Sequence, residues 1–279
     1  MSSNKVEEQE FKRRYGVSIQ IFNDMVTVVK AERMLKKTTG RKDKLSIEDQ
    51  VLITLSYWRE YRTFFHIGKD WGIHESTAFR IVRRVEDILI ESRVFSLPGK
   101  KALIEKELSI DKIVIDVTEH EVERPEKKQK EYYSGKKKKH TIKTQIVMDL
   151  NTKLIICIAH GKGKEHDFKI FKESGLKLKE ETECLADKGY QGINKIHKNS
   201  TIPIKKKKGK KLDKAQKIYN KELSSLRISI EHINREMKIF RILSSRYRNR
   251  RKRLGLRLNL LAGIYNYAQK IRLESSVFL

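Results

Sequence analysis

Three acids stand where a side chain can leave an apolar segment. Asp116 follows the run Ile113-Val114-Ile115, and Asp187 follows Cys184-Leu185-Ala186 and precedes the turn Lys188-Gly189-Tyr190. Glu231 lies beside, and not on, the apolar stripe of a helix-like segment, with Arg227, Arg235 and Lys238 as its neighbours at helical spacing. Taken singly, each acid has an ordinary reading: a strand-end cap, a turn aspartate, a partner in an i,i+4 ion pair. Taken together, carboxylates from two strand ends and one helix could converge to hold two Mg²⁺ ions, hard cations that prefer oxygen ligands and keep positions open for water and phosphate. Such a pair, with Mn²⁺ as a possible substitute, activates an attacking hydroxyl and stabilises the leaving oxygen of a phosphodiester displacement.

The charge of the chain says which phosphodiester. Its 279 residues carry 63 Lys and Arg against 36 Asp and Glu, a formal net charge of +27, which calls for a polyanionic partner and makes nucleic acid the first to consider. Acids beside phosphate would repel such a partner, and metal binding gives them a reason to be there. At 38% apolar, with the apolar residues in periodic blocks, the chain reads as a folded protein with basic surfaces, not a disordered polycation. Cys157 and Cys184 lack any CxxC or Cys/His spacing and read as free core thiols. The opening residues contain no apolar core of a signal peptide. The longest clean apolar run, Leu154–Ala159, is far short of the roughly 20 residues a bilayer span needs. The expectation is a soluble, cytoplasmic protein with no membrane partner.

The elements that must position the acids are legible in outline. Residues 17–36 carry apolar side chains at helical spacing, with Ser18 able to cap the start. A second helix opens at Ser46-Ile47-Glu48-Asp49, a capping-box-like pattern. Leu97-Pro98-Gly99-Lys100 then breaks the helical alphabet. Beyond it come the short β-branched runs Ile113–Val117, Thr141–Met148 and Leu154–Ala159, two of them joined by the tight turn Asp149-Leu150-Asn151-Thr152 that favours antiparallel pairing. A short helix at Asp167–Glu173, a strand at Cys184–Asp187, a long helix from about Lys214 to Phe240 and a last helix at Leu256–Ile271 complete an α+β or α/β region. Asp167 reads as the cap of its helix, with a catalytic or DNA-orienting role as the alternative. The expected division is a helical region over residues 1–100 and a second domain over 106–279. Three basic clusters punctuate the latter: Lys127–His140, Lys205–Lys211 and Arg246–Arg253.

Within the helical region, residues 61–90 have the spacing of a helix-turn-helix. Gly68 permits close approach, Gly72 the turn, and Ala78, Ile81 and Val82 face inward on the second helix. That helix presents Ser76, Thr77, Arg80, Arg83 and Arg84 outward, groups suited to phosphates and base edges in a major groove. An ordinary helical hairpin with a basic solvated face is the alternative. In Lys127–His140, lysines alternate with Tyr132 and Tyr133, so Lys136 and Lys137 could follow a phosphate backbone while the tyrosines stack on unpaired bases, or the tyrosines are buried locally in a solvated hairpin.

At these residues the chain resembles the DDE transposases of bacterial insertion sequences, in particular the IS5-like group. The resemblance spans nearly the whole chain: the helix-turn-helix, Ile115-Asp116-Val117-Thr118 leading to Glu123-Arg124-Pro125, Tyr132 to Lys137, Ala186 to Gly192, and Arg227-Ile228-Ser229-Ile230-Glu231-His232. The three acids are separated by 71 and 44 residues. A Tyr-x2-Arg-x3-Glu-x6-Lys signature found in related enzymes is matched by Arg227, Glu231 and Lys238, with Ser224 in the tyrosine's place. The resemblance implies an RNase H-like catalytic domain with a mixed sheet, with Asp116, Asp187 and Glu231 as the catalytic, metal-holding triad. It implies cleavage of double-stranded DNA at the element's terminal inverted repeats and transfer of the freed 3′-OH to target DNA. It also implies a homo-oligomer on DNA and work at the bacterial nucleoid, with Arg227 and Lys238 clamping phosphate or positioning terminal nucleotides. The alternatives are a domesticated or inactive relative that binds DNA without transposing, and a helix-turn-helix regulator without catalysis.

Overall fold

The computed structural model describes residues 3–35, 43–105, 110–206, 209 and 211–277. By packing, the chain forms two compact units. The first comprises residues 1–96, 237–246 and 253–271, the second residues 97–236, 247–252 and 272–279.

The first unit opens with α1 (Ser3–Tyr15), α2 (Ile19–Leu35), α3 (Ile47–Glu60), α4 (Phe64–Asp70) and α5 (Glu75–Glu91). Two expected caps form: Ser18 Oγ accepts from Ile21 N at 3.3 Å, and Ser46 Oγ from Asp49 N at 3.0 Å. Lys36, the last position of the expected α2, lies outside the described residues. Met25, Val29, Leu55, Trp58, Val82 and Leu89 are buried in this unit. A charged group is buried with them: Glu86 accepts from Trp58 Nε1 (3.0 Å), Arg253 Nε (2.9 Å) and Arg257 Nε (2.6 Å). Three donors satisfy a carboxylate that would otherwise be costly to bury.

The second unit is built on β1 (Lys112–Glu121), followed by α6 (Gln129–Tyr132), β2 (Tyr133–Ser134), β3 (Lys139–Asp149), β4 (Ile155–Lys162), α7 (Asp167–Glu173), β5 (Glu183–Ala186) and β6 (Ser200–Thr201). The sheet runs β2-β3-β1-β5-β6, with β4 also on β3. Pairs β1–β3 and β3–β4 are antiparallel, and β1–β5 and β5–β6 are parallel, so the sheet is mixed. The Asp149–Thr152 turn closes the β3–β4 hairpin, Asp149 accepting from Asn151 N and Thr152 N at 3.1 Å each. A core of Ile113, Ile115, Val147, Cys184, Ala186, Phe171 and Tyr190 fills one face. Both cysteines are free and buried, and burial pushes each thiol up to about 12. The long α8 (Lys214–Lys238) follows; α9 (Arg241–Ser244) and most of α10 (Leu254–Val277) belong to the first unit.

Two sequence expectations change here. Asp116 does not end a strand, because β1 continues to Glu121 in unbroken register with β3 and Asp116 pairs opposite Ile146 in mid-strand. The polar residues Thr118, Glu119 and His120 mimic a strand end in one dimension. The cap of α7 is His166 and not Asp167, which is the first helical residue and is bonded elsewhere.

Candidate active site and DNA-reading helix

Strand register brings two of the three acids together. In the parallel pair, Ile115 lies opposite Ala186, so Asp116 and Asp187 are the next residues on adjacent strands. Because side chains alternate along a strand, Ile113 and Ile115 fill the core face and Asp116 points from the other. There it meets α8: Arg227 Nη2 lies 3.5 Å from Asp116 Oδ1, and Asn234 Nδ2 donates to Oδ2 at 3.3 Å. Burial, opposed by Arg227 and reinforced by the charges of Asp187 and Asp167, raises Asp116 to about 6 from an ordinary 3.8.

Asp187 caps the one-turn helix Lys188–Tyr190, its Oδ1 accepting from Gly189 N at 2.6 Å. A Cβ on Gly189 would lie 2.8 Å from Asp167 Oδ2 and 2.9 Å from Asp187 Oδ1, so a side chain there would displace both carboxylates. Asp167 thus reaches the same turn, and its Oδ1 accepts from Lys143 Nζ at 2.9 Å. Tyr190 is fully buried and donates to Gln145 Oε1 at 3.2 Å; burial, then the charges of Asp116, Asp167 and Asp187, raises its phenol well above the ordinary value. Asn234, Asp167, Lys143 and Tyr190 are the site residues that sequence reasoning did not select. Asn234 was within reach, since it stands seven residues from Arg227 and so on the same helical stripe. Asp167 reads in the sequence first as a helix cap, with a catalytic or DNA-orienting role as the alternative.

Glu231 lies between Arg227 and Asn234 on that stripe, with its side chain exposed. Among the described residues, no group of three or more His, Cys, Asp or Glu side chains stands together as a ready metal site. Beside Asp187 and Arg227 opens a cavity of about 290 Å³, also lined by Lys188, Pro203, Asn220 and Ser224. Lys238 is partly buried in the last turn of α8. Of the cluster Lys205–Lys211, residues Lys207, Lys208 and Lys210 lie outside the described residues.

The helix-turn-helix forms at α4–α5. A Cβ on Gly68 would lie 2.7 Å from Ile73 O, so only glycine allows this approach, and Gly72 takes φ +59° in the turn. His74 caps α5 by accepting from Ser76 N at 3.2 Å, a task more often given to Ser or Thr. Ala78, Ile81 and Val82 are buried, and Ser76 and Thr77 are half-buried. Arg80 and Arg83 are exposed. Arg84 bonds Gln50 Oε1 at 2.8 Å and Asp43 Oδ2 at 3.3 Å, so part of its donor set is already used within the protein. Tyr132 is buried with Arg251 4.4 Å over its ring, whereas Tyr133 is 42% exposed, and Lys136 and Lys137 lie exposed in the β2–β3 turn.

A helix-turn-helix in one unit and, in the other, a mixed sheet that presents paired carboxylates are the parts of a DNA-cutting enzyme. The family model described as "DDE superfamily endonuclease" matches residues 115–266, and that described as "Helix-turn-helix of DDE superfamily endonuclease" matches residues 43–94. The chain belongs to the DDE superfamily of endonucleases, and its catalytic region has the RNase H-like fold expected from the resemblance. It is 59% identical to "Probable transposase for insertion sequence element IS702" from Microchaete diplosiphon, over 93% of this chain and 94% of that one. It is 26% identical to "Putative transposase for insertion sequence element IS112" from Streptomyces albus G, over 82% and 83%. The chain is thus a DNA-binding enzyme. No helix among the described residues is long and apolar enough to cross a membrane.

Membership in this superfamily implies dependence on a divalent metal ion, and the residues present fit one. Asp116 and Asp187 offer hard oxygen donors at the same level of adjacent strands, and burial, first of all, with the charge of Asp187 added, disfavours the ionised Asp116 against the opposing charge of Arg227.

Proposed function

We propose that this endonuclease is the transposase of an insertion sequence, which binds the element's terminal inverted repeats through α4–α5, cuts there and joins the freed 3′-OH to target DNA. The observation that carries the catalytic half is the β1–β5 register, by which Asp116 and Asp187 follow the last paired residues of adjacent strands. With Glu231 they are the residues that would hold two Mg²⁺ or Mn²⁺ ions, which when bound supply charge to the attacking and leaving oxygens of the displacement.

The chain's own groups do the rest. Arg227 and Asn234 fix the Asp116 carboxylate in one orientation, and the Gly189 amide fixes Asp187. Glu231, on the stripe between Arg227 and Asn234, completes the acid set from the helix side. The cavity floored by Asp187 and walled by Arg227 and Lys188 gives the scissile phosphate a cationic border. Arg80 and Arg83 read the element end, with Ser76, Thr77 and Arg84 nearby; Tyr133, Lys136 and Lys137 contact DNA at the catalytic unit, and Tyr132 supports them from beneath. Lys238 contributes from the end of α8. Two element ends must be held at once, so the working form is a homo-oligomer on DNA, acting at the nucleoid.

The test is to incubate purified protein with a duplex carrying the element end, a target plasmid and Mg²⁺. Scission leaving a 3′-OH at the element boundary, followed by covalent joining to the plasmid, is expected. Specific binding with neither product would point to a DNA-binding relative without catalysis.

A further inference from the structure

A further aspartate faces the paired acids across the Gly189 turn. The backbone of Gly189 is not in the left-handed region that calls for glycine, so what its missing side chain supplies is room. The place a Cβ would take lies within 2.9 Å of both Asp167 Oδ2 and Asp187 Oδ1, so the two carboxylates border a space that one methyl group would fill.

The sheet sets Asp167 down at this place. Lys143 and Gly161 lie opposite each other in the β3–β4 register and therefore share a face. A Cβ on Gly161 would lie 2.5 Å from Ile170 Cγ1, so α7 sits directly on the strand there. Lys143 rises beside it and donates to Glu165 O at 2.7 Å and to Asp167 Oδ1 at 2.9 Å. Only one oxygen of Asp167 is used in this way. Its Oδ2, the oxygen that borders the Gly189 space, has no hydrogen-bond partner among the described residues.

A tether between β3 and the start of α7 would be complete with Glu165 O alone. A third ionised carboxylate beside the pair adds like-charge repulsion instead. The Lys143 and Asp167 side chains are 13% and 25% exposed, so solvent and salt screen their charges less than those of a surface pair. Burial is the first cause that raises Asp116, and against Arg227 the charges of Asp187 and then Asp167 add to it. After burial, the same three carboxylates also act on Tyr190, so their fields meet in one place.

We propose that Asp167 is a fourth acid of the catalytic site, a positioning residue that acts by its charge across the Gly189 space to strengthen the hold of Asp116 and Asp187 on a divalent cation, with Lys143 as the counter-charge that limits it. The inference rests on the proposed metal-holding role of Asp116 and Asp187 and adds a determinant outside those ligands. A charge beside a ligand pair changes cation affinity without touching the cation, as partners outside a coordination sphere do.

The experiment titrates Mn²⁺ into the full-length, DNA-free protein and reads the free ion by electron paramagnetic resonance, with thermal melting alongside. Asp167→Asn keeps the size of the side chain and an oxygen for Lys143 but removes the charge. Its Mn²⁺ affinity should fall at least about tenfold, as is typical when an outer partner is lost. Lys143→Gln keeps a donor toward α7 but removes the opposing charge, so its affinity should rise several-fold, and the double variant should fall between the two. A mere tether predicts another pattern, in which both single variants melt lower and bind Mn²⁺ as the parent does. That result would overturn the proposal, and so would weaker binding by both. If Asp167→Asn does not fold, Lys143→Gln decides alone: tighter binding supports the proposal, and unchanged or weaker binding overturns it. A parent that bound no Mn²⁺, or bound it undiminished after Asp187→Ala, would instead sink the metal-holding role of the paired acids.

Discussion

Burial holds the Asp116 carboxyl at about 6, above its ordinary 3.8, and the sign of the consequence follows. The folded protein binds this proton more tightly than the unfolded chain does, so the ionised acid destabilises the metal-free fold. Below pH about 4 the acid is protonated in both states and costs nothing; between about 4 and 6 the cost grows, reaching about 3 kcal/mol and staying there at higher pH. Asp116→Asn should therefore melt higher than the parent at pH 7 without divalent ions, by an amount worth about 1–3 kcal/mol, and no higher at pH 4. Adding a divalent cation should raise the parent's melting temperature and leave the variant's unmoved. A variant with no pH-dependent gain would mean that the Asp116 carboxylate is not strained in the fold. That an acid should stand at this position was legible, because Asp116 interrupts an apolar run; its setting in mid-strand was not. The residues after it are polar on both sides of the strand, and only pairing with β3 through Glu121↔Thr141 shows that the strand continues.

Local elements were legible wherever a periodic apolar face or a cap marked them. Ser46, the Asp149 turn and the α4–α5 spacing each carry their own chemistry, and each forms as read. α1 escaped notice because Val6 and Phe11 are its only apolar residues before the terminal Tyr15, too few to draw a stripe. Phe11 nevertheless packs 5.3 Å from Phe22 of α2, a partner that only the tertiary fold provides. On the recognition helix, Arg84 looked as free as its neighbours in sequence but is tied to Asp43 and Gln50. This makes Arg80 and Arg83 the pair to test. Arg80→Ala and Arg83→Ala should each weaken binding to the element end by about 1–3 kcal/mol while leaving the melting temperature within about a degree or two, since both side chains are exposed. Electrophoretic mobility shift with end and scrambled duplexes measures it. Equal losses on both duplexes would mean phosphate contact and not base readout.

At the scale of the molecule, the chain's order does not map onto its packing. Residues 253–271 belong to the unit formed by the first 96 residues, and Arg253 and Arg257 reach the buried Glu86 from there. A pairing across about 170 residues leaves no trace in local periodicity, whereas the strand, turn and helix order around Asp116 and Asp187 does. The excess of +27 is likewise visible at once, but the bridge from Val122 to Tyr247 that joins two of its basic segments is not. The central claim joins the two levels, in that acids paired by strand register cut DNA with a divalent metal. The most direct test is cleavage of a plasmid carrying the chain's own flanking DNA, with Mg²⁺ or with EDTA, by the parent and by Asp187→Ala. Scission at the element ends that requires both the metal and Asp187 is the predicted result. Scission that survives either EDTA or the loss of Asp187, or end binding by the parent with no scission in Mg²⁺, would contradict it.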